Sequence, residues 1–120
     1  MSKKTVVIGA STKPERYSYM AMHKLTDYKH EAIPVGIKDG EVAGKQILKG
    51  KPEINDVHTV TLYVGPRNQP DYYDYIVGLK PERVIFNPGT ENPEFENMLK
   101  DKGIEPIEAC TLVMLSTDQY

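Results

Sequence analysis

A β-branched run that ends in a turn of small residues is the part of this sequence best suited to binding chemistry. The apolar residues before Gly9 predict a buried strand, and residues 18–28 have the spacing of an amphipathic helix. Unpaired N–H groups and the positive end of a helix dipole meet at such a junction, and both attract anions. Small residues also let an anion approach the backbone, while Lys13 adds mobile positive charge. The predicted binding residues of this loop are Gly9, Ala10, Ser11, Arg16 and Ser18.

Residue types that serve acid–base, nucleophilic or metal chemistry are few and scattered. His23, His30 and His58 are the three histidines, and none has a nucleophile at a recognised motif spacing. Glu91 has no carboxylate partner, and no group of His, Cys and Asp has the spacing of a metal site. Cys110 is interpreted as a small buried hydrophobe. We therefore expect no catalytic constellation and no metal.

Length, charge and hydropathy limit the class of protein. A chain of 120 residues fits one domain, residues 1–120. The net charge of −2 and the absence of a basic stripe argue against nucleic acid as the partner. No apolar run approaches the ~18 residues of a membrane span, and no signal peptide precedes the first strand. The expected setting is the cytoplasm, without contact to a membrane.

Apolar runs of strand length alternate with helical periodicity along the chain. This alternation predicts an α/β fold in which right-handed crossovers build a parallel sheet of about five strands, with helices on both faces. Residues 38–57 contain several glycines and receive no assigned element. The predicted strands are residues 4–9, 32–37, 59–64, 83–87 and 104–108.

Capping residues predict where two of the helices begin. Ser18 is the predicted N-cap of the first helix, whose buried side chains would be Ala21, Leu25 and Tyr28. Asn92 is the predicted N-cap of a later helix, because a proline follows it at the first helical position.

The ends of the predicted strands indicate where a ligand would bind and which ligand it would be. Loops 9–18, 64–69 and 87–92 meet beyond the carboxyl ends of parallel strands, where such sheets bind their ligands. The first loop lacks the three glycines of an NAD site, and Lys38 replaces the acid that would hold the ribose. A lysine there favours a ligand with an extra ribose phosphate, and both NADP and coenzyme A carry one.

Two other nucleotide-associated classes do not fit these loops. A phosphoacceptor receiver needs acidic residues after the first and third strands to hold a divalent cation, but Gly9 and Gly65 stand near those positions. A P-loop needs a Gly-Lys-Ser/Thr sequence after a strand, and none is present.

The first loop resembles that of the small CoA-binding proteins, which are related to the N-terminal domain of succinyl-CoA synthetase α subunits. The resemblance rests on Gly9-Ala10-Ser11, Pro14, Arg16 and Ser18, and it extends over nearly the whole chain. It implies a three-layer Rossmann-like domain with the strand order 3-2-1-4-5. The chain departs from the family where Gly36-Ile37 replaces Asn-Pro, and where the fourth strand lacks a tryptophan.

The resemblance also implies a place for each part of coenzyme A. The diphosphate would lie on the first loop with Ser11 donating its hydroxyl, the adenine along residues 35–37, and the 3′-phosphate beside Lys38. The second and third loops would border the pantetheine arm. The residues implied outside the first loop are Val35, Gly36, Ile37, Lys38, Gly65, Asn87, Pro88, Gly89 and Thr90.

The expected function is therefore non-catalytic binding of coenzyme A or an acyl-CoA, by a monomer or homodimer. One alternative is an enzyme or enzyme subunit that uses an acyl-CoA or NADP. Another is a Rossmann domain that has lost its ligand and serves as a protein-interaction module. For a protein that binds coenzyme A, Cys110 has a second interpretation, as a thiol that forms a reversible mixed disulfide with the CoA thiol.

Overall fold

The computed structural model describes residues 2–120, in which strands and helices alternate as the hydropathy pattern predicts. The strands are β1 Thr5–Ile8, β2 Ala32–Val35, β3 Glu41–Val42, β4 Lys45–Gln46, β5 Thr59–Leu62, β6 Arg83–Phe86 and β7 Glu105–Glu108. The helices are α1 Tyr17–Asp27, α2 Tyr73–Leu79, α3 Pro93–Asp101 and α4 Thr111–Ser116. The predicted α/β class with a five-stranded parallel sheet and a Rossmann-like fold is confirmed.

The order of the strands differs from the predicted order 3-2-1-4-5. The sheet runs β2-β1-β5-β6-β7, so the third long strand lies between the first and the fourth rather than at the edge. Pro34 explains part of this difference, because it lacks an N–H group and is tolerated at a sheet edge, where β2 lies. The strand β5 is buried at all four positions, as a central strand must be.

Helices cover both faces of the sheet. Val6 and Ile8 point to one face and pack with residues of α2 and α3, whereas Val7 points to the other face and packs with α1 and α4. This alternation follows from the two-residue period of a strand. The helices therefore exclude solvent from both faces of the sheet. Polar groups that bind a ligand must then lie at the strand ends and in the loops.

The helix boundaries agree with the prediction for α3 and differ for α1. The Asn92 side chain accepts a hydrogen bond from the Phe95 N–H at 3.2 Å, which confirms Asn92 as the N-cap. Ser18 is not a cap, because it lies inside α1 and is buried, while Arg16 occupies the cap position without a side-chain bond. Tyr28 follows the end of α1 and is 47% exposed, and Met22 is buried in its place.

Residues 38–57, left unassigned by the sequence pattern, contain a short hairpin beside the sheet edge. The strands β3 and β4 pair in antiparallel fashion around Ala43 and Gly44, which both have positive φ, as a tight hairpin turn requires. Leu48 then bridges to Val35 of β2, so this segment covers the outer edge of the sheet. Ile47 is buried by this arrangement and becomes part of the cleft described below.

Candidate functional site

A cleft of about 770 Å³ opens at the carboxyl edge of the sheet, between the loops that follow β1 and β5. The crossovers leave these two adjacent strands in opposite directions, and this switch point is where open parallel sheets bind ligands. The residues that line the cleft are Gly9–Lys13, Arg16–Ser18, Gly36–Lys38, Ile47, Tyr63–Gly65, Asn68, Asp71, Tyr72 and Pro88–Thr90.

The loop after β1, which lines the cleft, contains unpartnered backbone donors. The N–H groups of Gly9 and Ala10 both donate to the Val35 carbonyl, at 2.9 and 3.0 Å, and this holds the loop against β2. Among residues 2–120, the N–H groups of Ser11 and Thr12 have no acceptor. Two consecutive free amides on a partly exposed loop are suited to an acceptor supplied by a ligand.

The first turn of α1 adds further donors to the same wall. The N–H groups of Tyr19 and Met20 donate to the Arg16 carbonyl, at 3.1 and 3.2 Å, so those of Tyr17 and Ser18 precede the first bonds of the helix. No side chain caps this end of the helix. The first turn of α1 also contains no acidic residue, so the positive end of the helix dipole is left available to an anion in the cleft.

Two glycines let the loops approach each other closely enough to form this wall. Gly9 has φ +97°, and a Cβ there would lie 2.8 Å from the Tyr63 carbonyl oxygen. A Cβ at Gly36 would lie 2.7 Å from the Ala10 carbonyl oxygen. Either contact would force the loop after β1 away from its neighbours, because real Cβ atoms do not come so near to backbone oxygen.

Basic side chains outnumber acidic ones around the cleft. Lys13, Arg16 and Lys38 are exposed at its rim, and none has a carboxylate partner within 4 Å among residues 2–120. Asp71, on the wall that follows β5, is the carboxylate residue among those that line the cleft. The electrostatics of the first wall therefore favour an anionic ligand.

The structure brings most of the residues predicted from sequence to this one cleft. Those that line it are Gly9, Ala10, Ser11, Arg16, Ser18, Gly36, Ile37, Lys38, Gly65, Pro88, Gly89 and Thr90. Val35 is an exception, because its side chain is buried in the core and only its carbonyl supports the loop. Whether the lining residues bind a ligand stays a prediction.

Asn87 is a second exception, and the structure gives it a different role. Its side chain is buried and donates to the Thr61 hydroxyl at 2.6 Å and the Leu62 carbonyl at 2.8 Å. Its oxygen accepts from the Thr111 N–H at 2.9 Å. Both the amino group and the oxygen of this side chain are bonded inside the protein. Asn87 therefore links β5 to the start of α4 and does not line the cleft.

Several cleft residues were missed by the sequence reasoning. Tyr17 and Asn68 lie in the predicted loops 9–18 and 64–69, Tyr63 lies in the third predicted strand, and Asp71 and Tyr72 follow the second loop. The sequence signal for Asn68 and Asp71 is the pair of prolines at positions 66 and 70. Two prolines so close together interrupt a regular helix. The chain instead forms two short 3₁₀ turns, and these stay near the end of β5.

Tyr63 lines the cleft, but its hydroxyl group is buried. Burial raises the pKa of the Tyr63 phenol well above its usual range, so the group stays protonated at neutral pH. The hydroxyls of Thr61 and Thr111 lie nearby, but neither is in hydrogen-bonding geometry with it. Tyr63 therefore offers the cleft no proton-transfer group.

The histidines and Cys110 lie outside the cleft lining. His30 and His58 belong to the opposite, amino edge of the sheet, where His58 Nδ1 is 2.7 Å from the Thr59 hydroxyl. Burial is the largest effect that lowers the pKa of His58, and it outweighs Glu82 at 3.6 Å. Cys110 precedes α4 and is half-buried. Within residues 2–120 no group of His, Cys, Asp and Glu is placed to hold a metal ion, and no helix is long and apolar enough to span a membrane.

The model of the CoA binding domain family matches residues 3–116, and the chain therefore belongs to this family. Among curated proteins it is similar to the uncharacterized protein YneT of Bacillus subtilis (strain 168). The two are 29% identical over 105 residues, which cover 85% of this chain and 76% of YneT.

Solved structures agree with this assignment of the fold. A crystal structure of an uncharacterized protein is 53% identical, has a TM-score of 0.98, and the match covers 100% of this chain and 99% of that one. A hypothetical protein from Pyrococcus horikoshii OT3 is 24% identical with a TM-score of 0.88, over 97% of this chain and 83% of that one. At that identity the second likeness shows the fold alone.

Proposed function

We propose that this protein binds coenzyme A, or an acyl derivative of it, and does not transform the bound molecule. The observation that carries the proposal is the wall formed by the first loop and α1. Ser11 and Thr12 present free amides there, and the uncapped helix and Arg16 add positive potential. Membership of the CoA binding domain family supports coenzyme A as the anion that these groups receive.

Each part of coenzyme A has a suitable surface in this proposal. The diphosphate accepts from the amides of Ser11 and Thr12 and from the Ser11 hydroxyl, with Arg16 as its charge partner. The adenine covers Ile37, whose side chain is 80% exposed beside the cleft, and Lys38 meets the 3′-phosphate. The pantetheine arm passes between the loop after β5 and residues 88–90 after β6.

The proposal that the bound molecule is not transformed rests on the groups that line the cleft. Among the described residues, this lining has neither histidine nor cysteine, and Asp71 is its one carboxylate residue. The buried hydroxyl of Tyr63 stays protonated. A general acid–base pair or an activated nucleophile needs two such groups within hydrogen-bonding reach.

Thermal unfolding of the purified protein with coenzyme A, dephospho-CoA, NADP and NAD tests the proposal. A ligand that binds only the folded state at about 100 times its Kd adds about 2.7 kcal/mol of stability and raises the Tm. We expect the largest rise with coenzyme A and a smaller one with dephospho-CoA. The Lys38→Met variant should respond equally to these two ligands. No rise with coenzyme A, or a larger rise with NADP, would overturn the proposal.

A further inference from the structure

Gln69 is a fully buried polar side chain between two short 3₁₀ turns, Pro66–Asn68 and Pro70–Tyr72, in the chain that follows β5. A buried amide must find hydrogen-bond partners or destabilise the fold, so its contacts reveal what it does. The sequence pattern does not single out this residue, because it lies between Pro66 and Pro70 in a polar segment.

The amide of Gln69 joins the loop after β5 to the loop after β6. Its Nε2 donates to the Val64 carbonyl at 2.9 Å and to the Thr90 carbonyl at 2.7 Å. Its Oε1 accepts from the side-chain amide of Asn92 at 2.9 Å. Three of the four hydrogen bonds available to a glutamine amide are thus used, each to a different residue.

The orientation of this amide is determined by its partners. Rotating the group by half a turn would place Oε1 against the carbonyl oxygens of Val64 and Thr90, which cannot donate. It would also place the Gln69 amino group against that of Asn92. Only one orientation satisfies the network, so the two loops are held at one separation.

Both carbonyls that Gln69 binds belong to residues that line the cleft. Val64 lies in the loop after β5, and Thr90 lies in the loop after β6. The first loop and α1, where the phosphates are proposed to bind, make no hydrogen bond with Gln69. Gln69 therefore acts on one half of the cleft.

We propose that Gln69 is a positioning residue that sets the separation of these two loops and thereby shapes the channel for the pantetheine arm. This inference rests on the proposed function, because it assumes that coenzyme A occupies the cleft. Gln69 touches no ligand in this account. It acts through the backbone of Val64 and Thr90. Its loss should therefore weaken binding of the pantetheine arm and leave binding of the nucleotide part unchanged.

Binding of two ligands to the Gln69→Met variant tests the inference. Methionine keeps the length of the side chain but leaves the two carbonyls and the Asn92 amide without their partner. We expect the Kd of coenzyme A to rise about tenfold, and the Kd of adenosine 3′,5′-bisphosphate, which lacks the pantetheine arm, to change less than about twofold. Gln119→Met, at an exposed position away from the cleft, is the matched control and should change neither Kd.

If Gln69 only stabilised the fold, its replacement would raise the Kd of both ligands by the same factor. Partial unfolding lowers the fraction of protein that can bind, and this fraction is the same for each ligand. Equal losses, or no loss for coenzyme A, would therefore overturn the inference while the proposed function stands. If the wild-type protein binds neither ligand, both fail. Should Gln69→Met not fold, Asn92→Ser removes the bond that Gln69 accepts together with the bond to the Tyr73 hydroxyl, while a serine hydroxyl can still cap α3. This variant should show the same selective loss for coenzyme A at a smaller size.

Discussion

Ser11 and Arg16 contribute to the first wall of the cleft in different ways. The Ser11 side chain accepts from the Lys13 N–H at 3.1 Å, which stabilises the turn and leaves its hydroxyl proton free to donate. Arg16 is exposed, and an exposed charge interacts weakly because water and salt screen it. The backbone amides remain in any side-chain variant. Removing one side chain alone should therefore have a modest effect.

The double variant Ser11→Ala/Arg16→Ala should bind coenzyme A about tenfold or more weakly, since a charge-assisted donor and a counter-charge are lost together. Isothermal titration calorimetry measures the change, and the Tm without ligand shows that the fold is intact. Arg67→Ala removes an exposed arginine that does not line the cleft and serves as the control. A double variant with near-normal affinity contradicts the assignment of the first loop.

Helix α3 connects the core to the third loop through its N-cap residue. Asn92 caps the helix with its side-chain oxygen and uses its amide to donate to Gln69 and to the Tyr73 hydroxyl, both at 2.9 Å. Phe95, one turn later, stacks on the Tyr73 ring with centroids 4.3 Å apart. One residue therefore joins the helix start, the aromatic core and the cleft wall.

Asn92→Ala should lower the free energy of unfolding by about 1–2 kcal/mol, because the cap is lost together with the hydrogen bonds to Gln69 and Tyr73. Asn92→Ser should lose less, since a serine hydroxyl can restore the cap. Chemical denaturation measures both, with the exposed Asn97→Ala of the same helix as the control. Equal losses for alanine and serine would show that the cap contributes little.

The two edges of the sheet have different characters across the whole molecule. The carboxyl edge carries the cleft, whereas the amino edge is closed by contacts between the start and the end of the described chain. The Lys3 N–H donates to Nδ1 of His30 at 2.9 Å, and the His30 ring lies 4.9 Å from that of Tyr120. The Arg83 guanidinium lies over the same tyrosine ring, at 4.4 Å.

This closed edge makes stability depend on pH. Burial first, and then positive charges that include Lys3 and Arg83, lower the pKa of His30 below its ordinary value of 6.5. The unfolded chain therefore binds a proton more readily than the folded chain as the pH falls below 6.5, and stability decreases there. Protonation of Nδ1 would also break the bond from Lys3.

The Tm of the wild-type protein should accordingly fall between pH 7 and about pH 5.5, and His30→Gln should reduce this fall. His58 contributes in the same direction, because its pKa is also lowered, so the slope should not vanish in the single variant. The exposed His23→Gln variant is the control. An unchanged slope in His30→Gln would exclude His30 as a source of the pH dependence.

Local features of this protein were predictable from the sequence alone, because they depend on neighbouring residues. The alternation of strands and helices and the Asn92 cap follow from apolar spacing and from residue types that satisfy their own backbone. The turn at Gly9 likewise marks the loop that the structure places in the cleft. The family resemblance carried by that loop agrees with the family match.

The tertiary structure decided the features that depend on distant partners. The central position of β5 depends on its pairing with β1 and β6, and no local sequence pattern encodes which strands will be its neighbours. Asn87 and Gln69 are both amides in loops, yet the first fastens β5 to α4 and the second joins two walls of the cleft. A polar side chain has the same local preference in either place, and only the partners that folding brings to it determine its role.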